Sequence, residues 1–179
     1  RQELLARIGV EDFKTLSLDI DESYPEGLSP EDTVRYIAKK KCDAAAALCA
    51  PDDLIITADT MVFLDNDRLG KPRDEEDALR MLRALSGRGH TVCTGVSVRR
   101  GAQEERFAVS TRVFFRPMTD DEIRAYIKTG EPMDKAGAYG VQSRGALFVE
   151  RIDGDFFNVM GLPVEQLGLV LARFGVKLL

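Results

Sequence analysis

The sequence predicts an α/β fold, a mixed β-sheet flanked by helices, as one domain over residues 1–179. Three patterns carry this. A β-branched apolar run at 54–63 stands between two capped helix patterns, as in a βα unit. Alternating runs at 91–99 and 107–115 are split by Gly101, as in a hairpin, and runs at 147–152 and 156–160 flank Asp153-Gly154, a second hairpin signal. Hairpins set among βα units favour a mixed sheet over a purely parallel, doubly wound one.

Taken in order, residues 2–8 read as a helix with Leu4, Leu5 and Ile8 on one face and Gly9 ending it. Residues 13–20 alternate and predict a strand, which runs into Asp21-Glu22 and a Pro/Gly loop. Ser29, Pro30, Glu31 and Asp32 make a helix start: a hydroxyl cap, proline in the first turn, acids at the positive end of the dipole. That helix is expected to reach about Cys49, burying Val34, Ile37, Ala38 and the alanine run. Residues 65–68 read as a turn. Asp74 caps a helix to Leu85, stopped by Ser86-Gly87; Thr119 and the acids after it cap another that ends at Gly130; Pro163 opens a last one, closed at Gly175. The polar, glycine-rich stretch 129–144 carries Lys135, Tyr139 and Gln142, and a loop of that length in a compact domain is usually functional.

Composition narrows the class. With 44% hydrophobic and 31% charged residues the chain can build a core, which excludes disordered and collagen-like classes. No apolar run is long enough to span a membrane. A net charge of −5 argues against a nucleic-acid surface yet leaves room for a local basic pocket. Cys42, Cys49 and Cys93 show no CxxC spacing, and His90 is the only histidine, so neither a zinc site nor a disulfide framework is expected; a reducing cytoplasm fits. The sequence opens at Arg1 rather than Met, with a helix already under way, and the expectation is that an N-terminal segment is missing from it.

Asp59 is the most informative residue. A carboxylate inside an apolar strand is costly unless partnered. Either it caps a turn at a strand end, or it is a metal ligand or general base at the sheet edge. Lys71, in Gly70-Lys71-Pro72, is a point charge on a segment stiffened by proline, suited to a phosphate or simply solvated. Asp21-Glu22 is a second acidic point. Lys39-Lys40-Lys41 ordinarily form a solvated face, but one of three consecutive helical lysines must point away from the others, and Lys41 is the candidate. Asp134-Lys135 opens the glycine-rich loop. Acids to hold a metal or activate water, with cations to neutralise a polyphosphate, are the inventory of Mg²⁺-assisted phosphoryl chemistry. No P-loop or GxGxxG is present, and Asp65-Asn66-Asp67 lacks the rest of an EF-hand. His90 reads as structural, Phe156-Phe157 as core, and Arg88 as part of a turn.

Together Ala58-Asp59-Thr60, Gly70-Lys71-Pro72, Leu85-Ser86-Gly87-Arg88, the stretch from Asp134-Lys135-Ala136 through Tyr139-Gly140-Val141-Gln142, and Asn158-Val159-Met160-Gly161-Leu162-Pro163 resemble the Maf family of nucleoside triphosphate pyrophosphatases. The resemblance covers essentially the whole chain in order. It implies an ITPase-like fold, elongated and mixed α/β with a central cleft, and divalent-metal-dependent hydrolysis (Mg²⁺ or Mn²⁺) between the α and β phosphates. Asp59 matches the family's proton acceptor and Lys71 its GKP lysine; Glu22 and Lys41 look like active-site matches, with Glu22 and Asp59 holding the metal. Thr60 and Gln142 match positions tied to base selection, and Lys135 is a further binding candidate. The loop looks like the branch that prefers dTTP and UTP.

Two departures stand out. Of the family's S-x-S-P-R-R phosphate-binding turn, only the last arginine appears, as Arg1. Ser143 replaces the usual glycine after Gln142. The expected activity is hydrolysis of dTTP and UTP, and of modified pyrimidine nucleotides, to monophosphate and pyrophosphate, in a house-cleaning or cell-division-linked role. The expected protein is a cytoplasmic homodimer that engages neither nucleic acid nor membrane. The alternative is a non-catalytic, nucleotide-sensing protein of cell-division control.

Overall fold

A computed structural model of the chain describes residues 1–65 and 67–179. Its elements are helices α1 (Gln2–Arg7), α2 (Pro30–Ala46), α3 (Glu75–Leu85), α4 (Asp120–Ile127), α5 (Phe156–Val159) and α6 (Val164–Arg173), with strands β1 (Ile55–Leu64), β2 (Asp67–Leu69), β3 (Gly89–Arg100), β4 (Gln103–Phe115) and β5 (Val149–Asp153). The strands form one sheet in the order β2-β1-β3-β4-β5. β2 returns antiparallel on the last residues of β1, pairing Leu69, Arg68 and Asp67 with Val62, Phe63 and Leu64, and β5 runs antiparallel to β4. The α/β class and the flanking helices are as the sequence predicts.

The predicted caps form. Ser29 Oγ accepts the Asp32 N–H, with Pro30 in the first turn of α2. Asp74 accepts the Asp77 N–H at 2.8 Å, and Thr119 with Glu122 closes a capping box on α4. Each such cap is worth ~1 kcal/mol, because it satisfies an amide the helix cannot. α2 stops at Ala46, three residues short of expectation.

Two predicted strands do not form. Residues 13–20 adopt no regular structure, and Phe13 and Leu16 are 37% and 53% exposed. An alternating pattern makes a strand only where one face finds a core and the edge finds a ladder. Residues 156–160 form the short helix α5 instead of a hairpin arm: the Asp155 carboxylate accepts the Phe157 N–H, and β5 is paired with β4. Phe156 and Phe157 are 42% and 38% exposed, not core. Of the turn expected at 65–68, Asp67 and Arg68 belong to β2, and Asn66 lies outside the described residues.

The chain divides into two compact units, Arg1–Asp59 with Thr94–Val109 and Gly161–Leu179, and Thr60–Cys93 with Ser110–Met160. In the first, Val34, Ile37, Ala38, Cys42 and Ala45 form the buried stripe of α2. That helix meets β3 so closely at Gly95 that a Cβ there would lie 2.3 Å from the Val34 carbonyl carbon. In the second, α3, α4 and the inner residues of β1, β3 and β4 enclose a core around Leu82, Leu85, Ile123 and Phe115. Residues 129–144, predicted as loop, are wound into short 3-10 turns at Glu131–Asp134 and Ala136–Ala138, followed by a third at Arg144–Phe148.

Candidate active site

Asp59 sits in the interior of β1, not at a strand end. The β2 pairing covers only Val62, Phe63 and Leu64, so Asp59 lies upstream of it. The turn-capping alternative therefore falls away. The residue is 7% exposed, and its Oδ1 accepts a hydrogen bond from Lys41 Nζ at 2.8 Å. Its Oδ2 is buried without a partner. A buried carboxylate oxygen left unmatched is expensive, and such a group commonly awaits a ligand, water or ion.

Lys41 reaches inward because helical spacing puts it on the buried stripe. It follows Ile37 by four residues and Ala38 by three, and Ala45 comes one turn later. α2 is itself held to β1 by Thr57 Oγ1, which donates to the Ala38 carbonyl at 2.7 Å. Lys39 and Lys40 turn outward, to Asp43 and to the Ser23 carbonyl and Asp21. Lys41 Nζ also meets Glu22 Oε1 at 2.8 Å. One ammonium thus bridges two carboxylates from distant parts of the sequence. The adjacent acids divide their work: Asp21 accepts the Ser23 N–H at 2.9 Å, and bonding to Ser23 holds its carboxyl below the ordinary range.

Arg1 joins this group. Its Nε donates to the Gly161 carbonyl at 2.8 Å. Burial lowers the pKa of its guanidinium, and the nearby Asp59 and Glu22 carboxylates act the other way. Arg1, Glu22, Lys41 and Asp59 therefore form one charged cluster within the first unit.

The second unit holds Thr60, Lys71, Lys135 and Gln142. The Gly137 N–H donates to the Gly70 carbonyl at 3.1 Å, which ties the Gly70-Lys71-Pro72 segment to the 3-10 turns. Lys135 Nζ meets Asp134 at 2.7 Å; this bond leads in holding the Asp134 carboxyl down, and Lys71 adds to it. Asp134 thus pairs with Lys135 and feels the charge of Lys71. Gln142 is exposed, and Thr60 is partly buried beside Asp59 in β1.

Other residues that the sequence singles out make contacts within the fold. His90 is buried at 2% exposure, with Nε2 2.8 Å from the Tyr139 hydroxyl and its ring edge-on to Phe115 and Tyr139. Arg88 pairs with Asp65 at 2.7 Å. Asn158 is fully buried and donates to the Val92 carbonyl and Thr111 Oγ1. The sequence reading passed over Glu131, which collects several donors from the glycine-rich loop; its one signal is an acid placed between Gly130 and Pro132.

Among the described residues no group of three or more acids, histidines or cysteines is arranged as a metal cage. Glu22 and Asp59 do fit a hard cation that takes oxygen ligands and keeps several waters. Both present oxygens to a single point now occupied by the Lys41 ammonium, and Asp59 Oδ2 is uncommitted.

The sequence model of the family described as "Maf-like protein" matches residues 1–174. Among similar curated proteins, a dTTP/UTP pyrophosphatase of Bacillus velezensis is 46% identical over 177 residues, covering 99% of this chain and 93% of that protein. One of a Geobacillus species, with the same name, is 48% identical over 163 residues, 91% of this chain and 87% of its own. One of Dictyoglomus turgidum is 46% identical over 179 residues, 98% and 92%.

Proposed function

This chain belongs to the Maf family, and we propose that it hydrolyses dTTP and UTP to the nucleoside monophosphate and pyrophosphate. The observation that carries the chemistry is Asp59: a nearly buried carboxylate with one oxygen held by Lys41 and the other unmatched. In this reading Asp59 takes a proton from a water whose oxygen bonds to phosphorus. The α–β bridging P–O bond breaks, and pyrophosphate leaves with the electron pair. Lys41 holds the carboxylate in place and would offset phosphate charge, a role also proposed for Lys71, Lys135 and Arg1. Glu22 and Asp59 would hold a Mg²⁺ or Mn²⁺ ion, which would neutralise the triphosphate and polarise it. Thr60 and Gln142 would read the pyrimidine.

The whole chain acts as one functional domain in this reading. The three free cysteines support a reducing compartment such as the cytoplasm. No described helix is long and apolar enough to cross a membrane. A homodimer is part of the proposal, and light scattering tests it.

Asp59→Asn decides the central assignment. It should keep the circular dichroism of the parent and lose pyrophosphate release from dTTP by roughly a hundredfold or more, the scale of a lost general base. Wild-type turnover by that variant would sink the role given to Asp59. Binding of dTTP by the parent chain with Mg²⁺ but without turnover would mark a nucleotide-sensing protein instead.

A further inference from the structure

The loop that carries Gln142 is held by one carboxylate the reaction does not use. Glu131 Oε1 accepts from the Tyr126 hydroxyl at 2.8 Å, Ser143 Oγ at 2.7 Å and the Gly145 N–H at 3.1 Å, while Oε2 accepts the Arg144 N–H at 3.3 Å. The Tyr126 hydroxyl in turn accepts the Gly140 N–H at 3.2 Å. The main chain is therefore pinned on both sides of Gln142, at Gly140 before it and at 143–145 after it. Between the anchors Gln142 itself stays exposed.

The closure is tight as well as bonded. A Cβ on Gly145 would lie 2.6 Å from the Gly140 carbonyl oxygen and 2.9 Å from the Tyr126 hydroxyl; one on Gly140 would lie 2.8 Å from Lys135 Cε and 3.0 Å from Ser143 Oγ. At Gly145 the obstacle is the Gly140 backbone, so a methyl group does not fit there, whereas at Gly140 it would have to displace the Lys135 and Ser143 side chains. Burial works to raise the Glu131 pKa, but Ser143, Tyr126 and the two amides outweigh it and the carboxyl is held below its ordinary value. Glu131 is an anion ordered by the loop and ordering it.

We propose that Glu131 is a positioning residue for nucleobase selection: through Tyr126, Ser143 and the 144–145 amides it fixes the loop that presents Gln142. The proposal rests on the reading of Gln142 as a base-reading residue. Ser143 adds a side-chain donor to this clamp. Loss of the clamp lets Gln142 wander, which weakens recognition of the base and leaves the phosphate chemistry alone.

The test uses the full chain with Mg²⁺ and compares dTTP, GTP and inorganic tripolyphosphate, an inhibitor that has no base. Glu131→Gln should raise KM for dTTP about tenfold, hold kcat within about threefold and lower the dTTP-over-GTP ratio of kcat/KM about tenfold, with the tripolyphosphate Ki within about twofold. Ser143→Gly should move KM and the ratio the same way by about threefold, and it carries the test if Glu131→Gln does not fold. Wild-type KM and selectivity in the variants overturn the proposal, as does an equal rise in the tripolyphosphate Ki, which marks general damage. If the parent releases no pyrophosphate, the functional reading fails separately. The clamp is then judged by calorimetry, with dTTP binding expected to weaken and tripolyphosphate binding to hold.

Discussion

Lys41 meets two carboxylates with one nitrogen, and its worth depends on both. At 21% side-chain exposure it is drier than Glu22 and less dry than Asp59, at 48% and 10%. Removing the cation leaves Asp59 with neither oxygen bonded to Lys41, and a buried charge stripped of its partner is far more costly than an exposed one. Lys41→Met should reduce pyrophosphate release by about a hundredfold or more. It should also destabilise the fold by about 3 kcal/mol in urea unfolding. A variant with parental activity would show that Lys41 only neutralises Asp59 and takes no part in the chemistry. Residue identity made Asp59 conspicuous in the sequence, as an acid amid β-branched neighbours. Glu22 and Lys41 were named there as companions of Asp59, but that one ammonium joins both carboxylates was not visible, because the three residues come from a loop, a helix and a strand.

At the scale of elements, the contact between α2 and β3 explains how Lys41 is delivered. Gly95 lets the main chain of the helix rest on the strand, and a methyl group would strike Val34 carbonyl atoms at 2.3 and 2.4 Å. Backbone cannot rotate aside as a side chain can, so the helix must lift. Gly95→Ala should cost about 3 kcal/mol, read as a lower urea midpoint, and should lower activity with it by shifting Lys41. Unchanged stability would mean that the helix has slack. Helices were legible because their signals are local: Ser29, Asp74 and Thr119 each bond an amide three residues on. The strand expected at 13–20 was not, because alternation says nothing of whether a ladder or a core awaits. At 156–160, capping by Asp155 won over a hairpin signal.

For the whole molecule, stability should depend on acid through His90. Burial pushes this imidazole down from 6.5 to about 4, beside Phe115 and with Nδ1 unpartnered. The unfolded histidine takes a proton before the folded one does, so stability falls as pH drops from 6.5 towards 4. Above 6.5 the contribution is fully present. A shift of this size corresponds to about 3 kcal/mol across that window. Thermal unfolding should show Tm falling over the window, and His90→Gln should flatten the slope even if it lowers Tm. An unchanged slope would show that His90 does not carry the acid sensitivity of this window; carboxylates such as Glu122, which Arg116 holds down at about 2, lose their contribution lower, as pH falls below 4.5.

The sequence alone determined the α/β class, the helix starts, the acid out of place at position 59 and the ordered motifs of a pyrophosphatase family, because caps, periodicity and motif order are local or linear properties. Only the tertiary structure decided that Lys41 joins Glu22 to Asp59, that one Asp59 oxygen is left unmatched, and that Glu131 clamps the loop around Gln142. Those facts depend on residues distant in sequence, or on opposite sides of a loop, being packed within hydrogen-bond reach. Burial, which makes each of them matter, is a property of the folded chain and not of any segment within it.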